Sequence, residues 1–261
     1  MSELLRHIQA CNNTTLPGGR VPFRLAGQEV GWLEPRLARR LGSETAVSLQ
    51  PEQLQPTVRA LADEGWFRWR DEAFDVRAEP NGPALAQLDR GALPAFGVEA
   101  AGAHLNGLVG ATRLWIARRA AHKALDPGKL DHIAAGGVSA GHTPESTLIK
   151  EAEEEAGIPP ELARQARPVA TIAYTMQRPE GLRRDRIYCF DLALPPSFTP
   201  VARDGEVEGF ELWELRDVLE AVRRTDAFKF NVNLVLIELF LRLGLIEGEE
   251  AETLRAAIGR L

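Results

Sequence analysis

The segment that decides the fold is Gly136–Ile158, which reads GGVSAGHTPESTLIKEAEEEAGI. Thr143 is a favoured helix N-cap, Pro144 suits the first helical position, and Gly157 suits a left-handed stop. Together these signals predict one well-bounded helix over residues 144–156.

Three glutamates of this helix share one face. Glu151, Glu154 and Glu155 stand at positions i, i+3 and i+4, whereas Glu153 points elsewhere. Their charges repel one another, and they lie in the C-terminal half of the helix, where its dipole disfavours negative charge. Such a cluster is either a solvated acidic face or a site for a hard divalent cation, whose preferred ligands are carboxylate oxygens.

The wider pattern of the segment resembles the Nudix box: Gly, five residues, Glu, seven residues, Arg-Glu, an apolar residue, any residue, Glu-Glu, any residue, Gly and an apolar residue. The matching positions in this sequence are Gly136, Glu151, Ala152, Glu154, Glu155, Gly157 and Ile158. The resemblance makes Glu151, Glu154 and Glu155 metal ligands and catalytic residues. It gives a structural role in the box to Gly136, Gly137, Lys150 and Gly157.

Two positions depart from the box. His142 stands where the family has its first Glu, and Lys150 stands where it has Arg. Lys150 keeps the positive charge but loses the bidentate geometry of a guanidinium. Two alternatives follow, a hydrolase and a Nudix module that binds a phosphorylated ligand without turnover. The intact carboxylates favour the hydrolase, because metal chemistry depends on them most.

Further motifs resemble one subgroup of the family, in which a small N-terminal domain of unassigned function precedes the Nudix domain. The similarity extends to the Nudix part of the fungal thiamine pyrophosphokinase fusion. The motifs are Arg70-Asp71-Glu72, Phe74-Asp75-Val76, GAHLNG at 102–107, Lys129-Leu130-Asp131, DGEVE at 204–208 and FKFN at 228–231. This resemblance implies a Nudix α/β/α sandwich with a mixed sheet over residues 101–261. A small α+β accessory domain over residues 1–100 precedes it.

The resemblance also implies a reaction, the hydrolysis of a diphosphate linked to an organic moiety with Mg²⁺ or Mn²⁺. A bound metal lowers the pKa of a coordinated water and neutralises phosphate charge. Candidates for the general base are a box glutamate, Glu206 and Glu208. The expected substrate is thiamine diphosphate or an oxidised analogue, cleaved to the monophosphate and phosphate. The alternative is ADP-ribose or another nucleoside diphosphate derivative.

Substrate contacts are expected from cations that precede the box and from polar or aromatic residues nearby. Guanidinium and ammonium groups suit phosphate, and a tyrosine suits stacking on an aromatic ring. The candidates are Arg118, Arg119 and Lys123 for phosphate, and His104, Asn106 and Tyr174 for the rest of the substrate.

The charge of the chain is mildly acidic overall but segregated along the sequence. In 261 residues, 31 Lys and Arg stand against 37 Asp and Glu, a net charge of −6. This balance disfavours a protein that binds nucleic acid by blanket phosphate neutralisation. Residues 144–157 carry −4 and residues 113–123 carry +4. A carboxylate cluster for cations beside a basic run for phosphates fits a small-molecule diphosphate as partner.

Cysteine usage and hydropathy favour a cytoplasmic protein. The two cysteines, Cys11 and Cys189, are far apart in sequence and imply no disulfide framework. The N-terminus lacks the continuous apolar stretch of a signal peptide. The most apolar segment, residues 231–246, is too short and too charged to span a membrane. The oligomeric state is left open, with a homodimer as one option.

Hydrophobic periodicity and turn residues predict the elements along the chain. Helices are expected at residues 2–10, 51–64, 144–156, 215–224 and 232–243. Strands are expected at 21–25, 28–33, 66–69, 74–76, 105–109, 113–117, 168–174, 187–192 and 210–213, with a linker at about 78–100. The apolar stripe of the last helix is interpreted as buried core rather than as a partner surface.

Overall fold

The protein is described by a computed structural model over residues 2–259. The helices are α1 (Leu5–Cys11), α2 (Pro35–Arg40), α3 (Pro51–Asp63), α4 (Leu93–Phe96), α5 (Pro144–Ala156), α6 (Pro160–Ala163), α7 (Leu215–Arg224), α8 (Val232–Arg242) and α9 (Gly248–Ile258). The strands are β1 (Val21–Leu25), β2 (Gln28–Leu33), β3 (Val47–Leu49), β4 (Ala73–Val76), β5 (Ala86–Asp89), β6 (Glu99–Val109), β7 (Arg113–Arg119), β8 (Leu130–Asp131), β9 (Ala134–Gly137), β10 (Arg167–Arg178), β11 (Gly181–Ala193) and β12 (Val207–Glu214).

The main sheet has the strand order β10-β11-β6-β7-β12, with β8 beside β7 and β9 beside β6. The β11–β6 pair is parallel, and the other pairs are antiparallel. Strands β6 and β7 pair only next to their hairpin and then diverge. Beyond that point β6 pairs with β9, and β7 pairs with β8. The chain between β8 and β9 therefore crosses the middle of the sheet just before the box helix.

Helices cover both faces of this sheet, because side chains of successive strand residues point to opposite faces. On one face Ala103 and Leu105 pack with α5 through Ala152. On the other face Ile187 and Cys189 pack with α8, α7 and α9. The predicted α/β/α sandwich with a mixed sheet is confirmed.

The N-terminal part has its own core and a three-stranded sheet of order β2-β1-β3. Phe23, Leu54 and Phe96 are fully buried in that core, which joins α2, α3, α4 and the two-stranded β4–β5 ribbon. A small α+β part therefore precedes the sandwich. Helix α1 departs from the sequence-based division, because Leu4 and Ile8 pack in the α8 and α9 core of the sandwich.

Two sequence predictions differ from the structure in the region before β6. Residues 66–69 form no strand, and the rings of Trp66 and Trp69 lie under Arg36 and Arg59 instead. Residues 78–100 are no linker, because their turn residues close the β4–β5 hairpin and the chain continues into α4 and β6. The predicted domain boundary at residue 100 thus falls inside β6.

Helix α8 is buried along most of its length, from Val232 to Leu241. Its apolar stripe is core, as predicted. None of the helices within residues 2–259 is long and apolar enough to cross a membrane.

Candidate functional site

The box helix begins and ends where the sequence predicts. The side chain of Thr143 accepts a hydrogen bond from Ser146 N at 3.1 Å, and Ser146 Oγ accepts one from Thr143 N at 2.9 Å. Gly157 closes the helix in the left-handed region at φ +65°. This double cap fixes the rotation of α5, and with it the direction of its glutamates.

Gly136 makes room for Glu151. A Cβ atom on Gly136 would lie 2.4 Å from the carboxyl carbon of Glu151, so a larger residue in β9 would displace that side chain. Burial raises the pKa of Glu151. The box glycine is therefore required by a close approach between β9 and a helical carboxylate.

Glu155 lies deepest in the site. Its side chain accepts a hydrogen bond from Ala135 N at 2.8 Å and is nearly removed from solvent. Ligand oxygens of Glu155, Asp204 and Glu206 all lie within 4.8 Å of one another. Burial raises the pKa of Glu155 well above its ordinary value, and neighbouring carboxylates add to the effect.

Asp204 is the residue of this group that sequence reasoning missed. It stands at the start of the DGEVE motif, where only the two glutamates were singled out. Its Oδ1 accepts a hydrogen bond from Glu206 N at 2.8 Å, which shapes the loop before β12. The motif itself carried the signal, since all three of its carboxylates are ordinary cation ligands.

Glu206 is held by a counter-charge. Its carboxylate accepts a hydrogen bond from the ammonium group of Lys123. Burial alone would raise the pKa of Glu206, but this hydrogen bond and the charge of Lys123 leave the pKa below its ordinary value. Glu206 is therefore ionised at neutral pH.

Glu154 and Glu208 lie at the edges of the group. Glu154 is half exposed and accepts a hydrogen bond from Lys150 Nζ at 2.8 Å, while Glu151 lies 3.3 Å from the same ammonium. Glu208 accepts a hydrogen bond from Ala121 N at 2.9 Å. Lys150 thus bridges two box carboxylates, and Glu208 anchors the loop after β7.

The basic residues of β7 have different environments. Arg119 donates to Asp131 at 2.7 Å, to Leu125 O at 2.9 Å and to Asp126 O at 3.2 Å. Arg118 is exposed and reaches only a surface carboxylate and a carbonyl. All three guanidinium nitrogens of Arg119 are used to hold the loop that leads to β8.

His104, Asn106 and Tyr174 are buried on the α8 side of the sheet. The Nδ1 atom of His104 lies 3.0 Å from Nδ1 of His132, and Asn106 donates to Asp191 at 2.9 Å. The hydroxyl of Tyr174 donates to a carboxylate of β11. The structure turns these polar atoms toward other protein groups, so their role in substrate binding stays a prediction.

A second polar group is closed inside the sandwich. Asp131 lies 2.7 Å from Arg119 and 3.6 Å from Lys229, and its oxygen lies within 4.8 Å of the ring nitrogens of His104 and His132. Burial alone would raise the pKa of Asp131, but the two cations lower it. Burial lowers the pKa of His132 to about 4 and that of His104 well below its ordinary value. Both imidazoles are therefore neutral at neutral pH.

The carboxylates around Glu155 fit a hard divalent cation. They offer oxygen ligands only, which suits Mg²⁺ or Mn²⁺ rather than a metal that prefers sulfur or imidazole. One ammonium, that of Lys123, contacts Glu206 and leaves most of the negative charge uncompensated. Burial raises the pKa values of Glu151 and Glu155, and the ammonium of Lys150 offsets this only in part at Glu151.

Two family models divide the chain between them. A model described as NUDIX domain matches residues 102–233, and one described as Domain of unknown function (DUF4743) matches residues 3–100. Among solved structures, DR0079 from Deinococcus radiodurans aligns with a TM-score of 0.45 at 23% identity, over 71% of this chain and 99% of that one.

Curated relatives align along nearly the whole chain. Nudix hydrolase 20, chloroplastic, from Arabidopsis thaliana is 38% identical over 96% of this chain and 75% of its own length. Nudix hydrolase 24, chloroplastic, from the same plant is 33% identical over 95% of this chain and 75% of its own length. A cytoplasmic location for this chain stays a prediction. Because the three helical carboxylates of the box are present and both relatives align with nearly the whole of this sequence, the chain belongs to the Nudix hydrolase family.

Proposed function

We propose that this protein hydrolyses the diphosphate linkage of a small-molecule substrate with a divalent cation held by its carboxylates. The observation that carries the proposal is the convergence of Glu155, Asp204 and Glu206 within 4.8 Å. Glu151 lies beside them over Gly136, and Glu154 follows on the same helix face. Glu155 is buried beside these carboxylates, and a charge buried next to like charges is costly unless a cation compensates it.

A bound Mg²⁺ or Mn²⁺ supplies charge neutralisation at the phosphate oxygens and lowers the pKa of a coordinated water. The chain's own residues supply the general base and hold it in position. Glu206, ionised at neutral pH, accepts a proton from the attacking water as general base. Lys123 holds the carboxylate of Glu206 in place, and Glu208 fixes the neighbouring loop through Ala121.

For the substrate we propose thiamine diphosphate or an oxidised analogue, which rests on the similarity of the subgroup motifs. The alternative is ADP-ribose or another nucleoside diphosphate derivative. The two classes give different products. A terminal diphosphate yields a monophosphate and inorganic phosphate, whereas a bridging diphosphate yields two monophosphates.

The test is an assay of the purified protein with thiamine diphosphate, an oxidised analogue and ADP-ribose, each with Mg²⁺ or Mn²⁺. We expect phosphate release from the first two and its loss when the metal is chelated. Glu154→Gln is expected to weaken Mn²⁺ binding several-fold, since it removes one carboxylate ligand, whereas Glu153→Gln leaves binding unchanged. The bridge from Lys150 to Glu151 and Glu154 favours a second candidate, a ligand-binding module. Saturable binding without turnover of any substrate in the panel would establish it.

A further inference from the structure

The β4–β5 ribbon of the N-terminal part lies directly on the box. The loop at residues 138–141 leads into the box helix and pairs with β4, since Ala140 N donates to Ala73 O at 2.7 Å. One residue earlier, Ser139 Oγ donates to Glu72 at 3.3 Å. Residues of the Arg70-Asp71-Glu72 and Phe74-Asp75-Val76 motifs, which the metal site does not use, therefore form a wall next to it.

Phe74 explains the second glycine of the box. A Cβ atom on Gly137 would lie 2.6 Å from the ring of Phe74. The absent side chain thus lets the tip of an aromatic ring of the N-terminal part approach β9 closely.

The turn that carries Glu72 is rigidly built. The buried carboxylate of Asp89 accepts backbone N–H groups from Arg70 at 3.0 Å, Glu72 at 3.3 Å and Gly91 at 2.8 Å. Arg90 N adds a bond to Glu72 O at 2.8 Å. These bonds fix the backbone on both sides of the Arg90 side chain.

Arg90 is the cation that this turn presents. Its guanidinium donates to Glu72 Oε2 at 2.7 Å and lies 5.9 Å from the centre of the Phe74 ring. The side chain is 54% exposed. Both of its partners touch the segment that leads into the box helix, because Glu72 also accepts the hydrogen bond from Ser139 and the Phe74 ring lies against Gly137.

Two other cations near the carboxylates already have partners. Arg119 uses its nitrogens inside the protein, and Lys123 is bound to Glu206. Within residues 2–259, the half-exposed guanidinium of Arg90 pairs with one carboxylate, that of Glu72, through one of its nitrogens. A guanidinium with this freedom binds phosphate oxygens in a bidentate manner.

We propose that Arg90 binds a phosphate group of the diphosphate substrate, so that the N-terminal part completes the site of the Nudix part. The inference rests on the proposed function for the identity of the substrate. The N-terminal part then has two roles, because Phe74 packs against the box and Arg90 supplies a phosphate-binding cation. Glu72 pairs with Arg90 in the absence of ligand, and the phosphate replaces Glu72 as the partner of Arg90 when the substrate binds.

The experiment compares wild type with Arg90→Gln in two measurements. The first is calorimetric binding of inorganic pyrophosphate with Ca²⁺ in place of Mg²⁺, where we expect affinity to fall about tenfold or more because a charge-assisted bond is lost. The second is steady-state turnover, where we expect KM to rise about tenfold while kcat stays within about threefold. Arg90→Lys keeps the charge and is expected to recover part of the affinity.

Arg59→Gln is the matched control. Arg59 also lies over an aromatic ring, that of Trp69 at 4.7 Å, and next to a carboxylate, that of Asp63 at 3.7 Å. The contacts with residues 137–139 described above are made by Glu72 and Phe74, the partners of Arg90, and not by these two residues. We expect it to bind pyrophosphate as wild type does. Equal affinity of Arg90→Gln and wild type would overturn the inference and leave the proposed function standing. Arg90-dependent binding without turnover of any diphosphate would overturn the proposed function alone.

Discussion

Within residues 2–259, two groups of side chains have three potential metal ligands within 4.8 Å of one another, and they differ in charge and exposure. The acidic cluster consists of Glu155, Asp204 and Glu206. The buried cluster consists of His104, Asp131 and His132. Both groups offer three donors within the same 4.8 Å limit, so these features alone do not separate a functional site from a structural one.

Charge balance separates them. In the buried cluster, Asp131 has two cations, Arg119 at 2.7 Å and Lys229 at 3.6 Å, and its imidazoles are neutral. In the acidic cluster, the one ion pair within the part of the chain that the structure describes joins Lys123 to Glu206, and Asp204 is exposed. A further cation would be repelled from the first group and attracted to the second. The buried cluster therefore stabilises the fold, and the acidic cluster suits binding and catalysis.

The largest effect is expected from Glu155→Gln. Loss of a metal-binding carboxylate removes several kcal/mol of transition-state stabilisation, so kcat should fall about a thousandfold. Burial raises the pKa of Glu155, so its ionised form destabilises the folded state once the pH exceeds the pKa of the unfolded chain. The neutral amide removes this penalty and still accepts the hydrogen bond from Ala135. The free energy of unfolding in urea at pH 7 should therefore rise.

The control on the same helix is Glu153→Gln, whose side chain is exposed. It should change neither kcat nor the free energy of unfolding by a measurable amount. If Glu155→Gln kept its turnover and unfolded more easily, the acidic cluster would be structural and the comparison would collapse.

The next effect is expected from Asp131→Asn. Removing the anion leaves Arg119 and Lys229 buried without compensation, which should cost roughly 3–5 kcal/mol of unfolding free energy. The adjacent arginine offers a matched control, because Arg118 pairs with the exposed Glu211 at 3.6 Å. Glu211→Gln should cost less than about 1 kcal/mol. Equal losses for the two variants in urea unfolding would show that the buried cluster contributes no more than a surface pair.

Much of the fold follows from local signals in the sequence. The box helix is capped by its own residues, and the β1–β2 hairpin and α7 depend on short-range patterns, so their predicted bounds agree with the structure. Residues 66–69 look like a strand because three of the four are aromatic, a residue type enriched in strands. Their conformation depends instead on the turn that follows them. There Arg70 N donates to the carboxylate of Asp89, which is 19 residues further along the chain. A pattern of a few consecutive residues cannot reveal a contact between residues so far apart in sequence.

The site was predictable where its members share one helix. Glu151 and Glu155 lie one turn apart, so helical periodicity alone brings them together. The approach of Asp204 to Glu155 depends on how the loop before β12 crosses the sheet, which no local pattern specifies. The different roles of Arg118 and Arg119 follow the alternation of β7, but the sequence does not say which face holds a buried carboxylate.

The smallest effect concerns acid stability and the buried cluster. Burial lowers the pKa of His132 from its ordinary value of 6.5 to about 4. Between these pH values the unfolded chain binds a proton that the folded chain excludes, so the free energy of unfolding falls as the pH falls. The contribution of His132 should be roughly 2–3 kcal/mol across that range.

The measurement is urea unfolding of wild type and His132→Asn at several pH values from 7 to 4. Since Glu155 contributes an opposite slope in both proteins, the difference between the two curves isolates the imidazole. We expect His132→Asn to lose less stability than wild type on acidification, and His122→Asn, at an exposed position, to follow wild type. Parallel curves for wild type and His132→Asn would mean that the buried imidazole takes up its proton in the folded state. The buried cluster would then no longer differ from the acidic cluster in being closed to protons and balanced in charge.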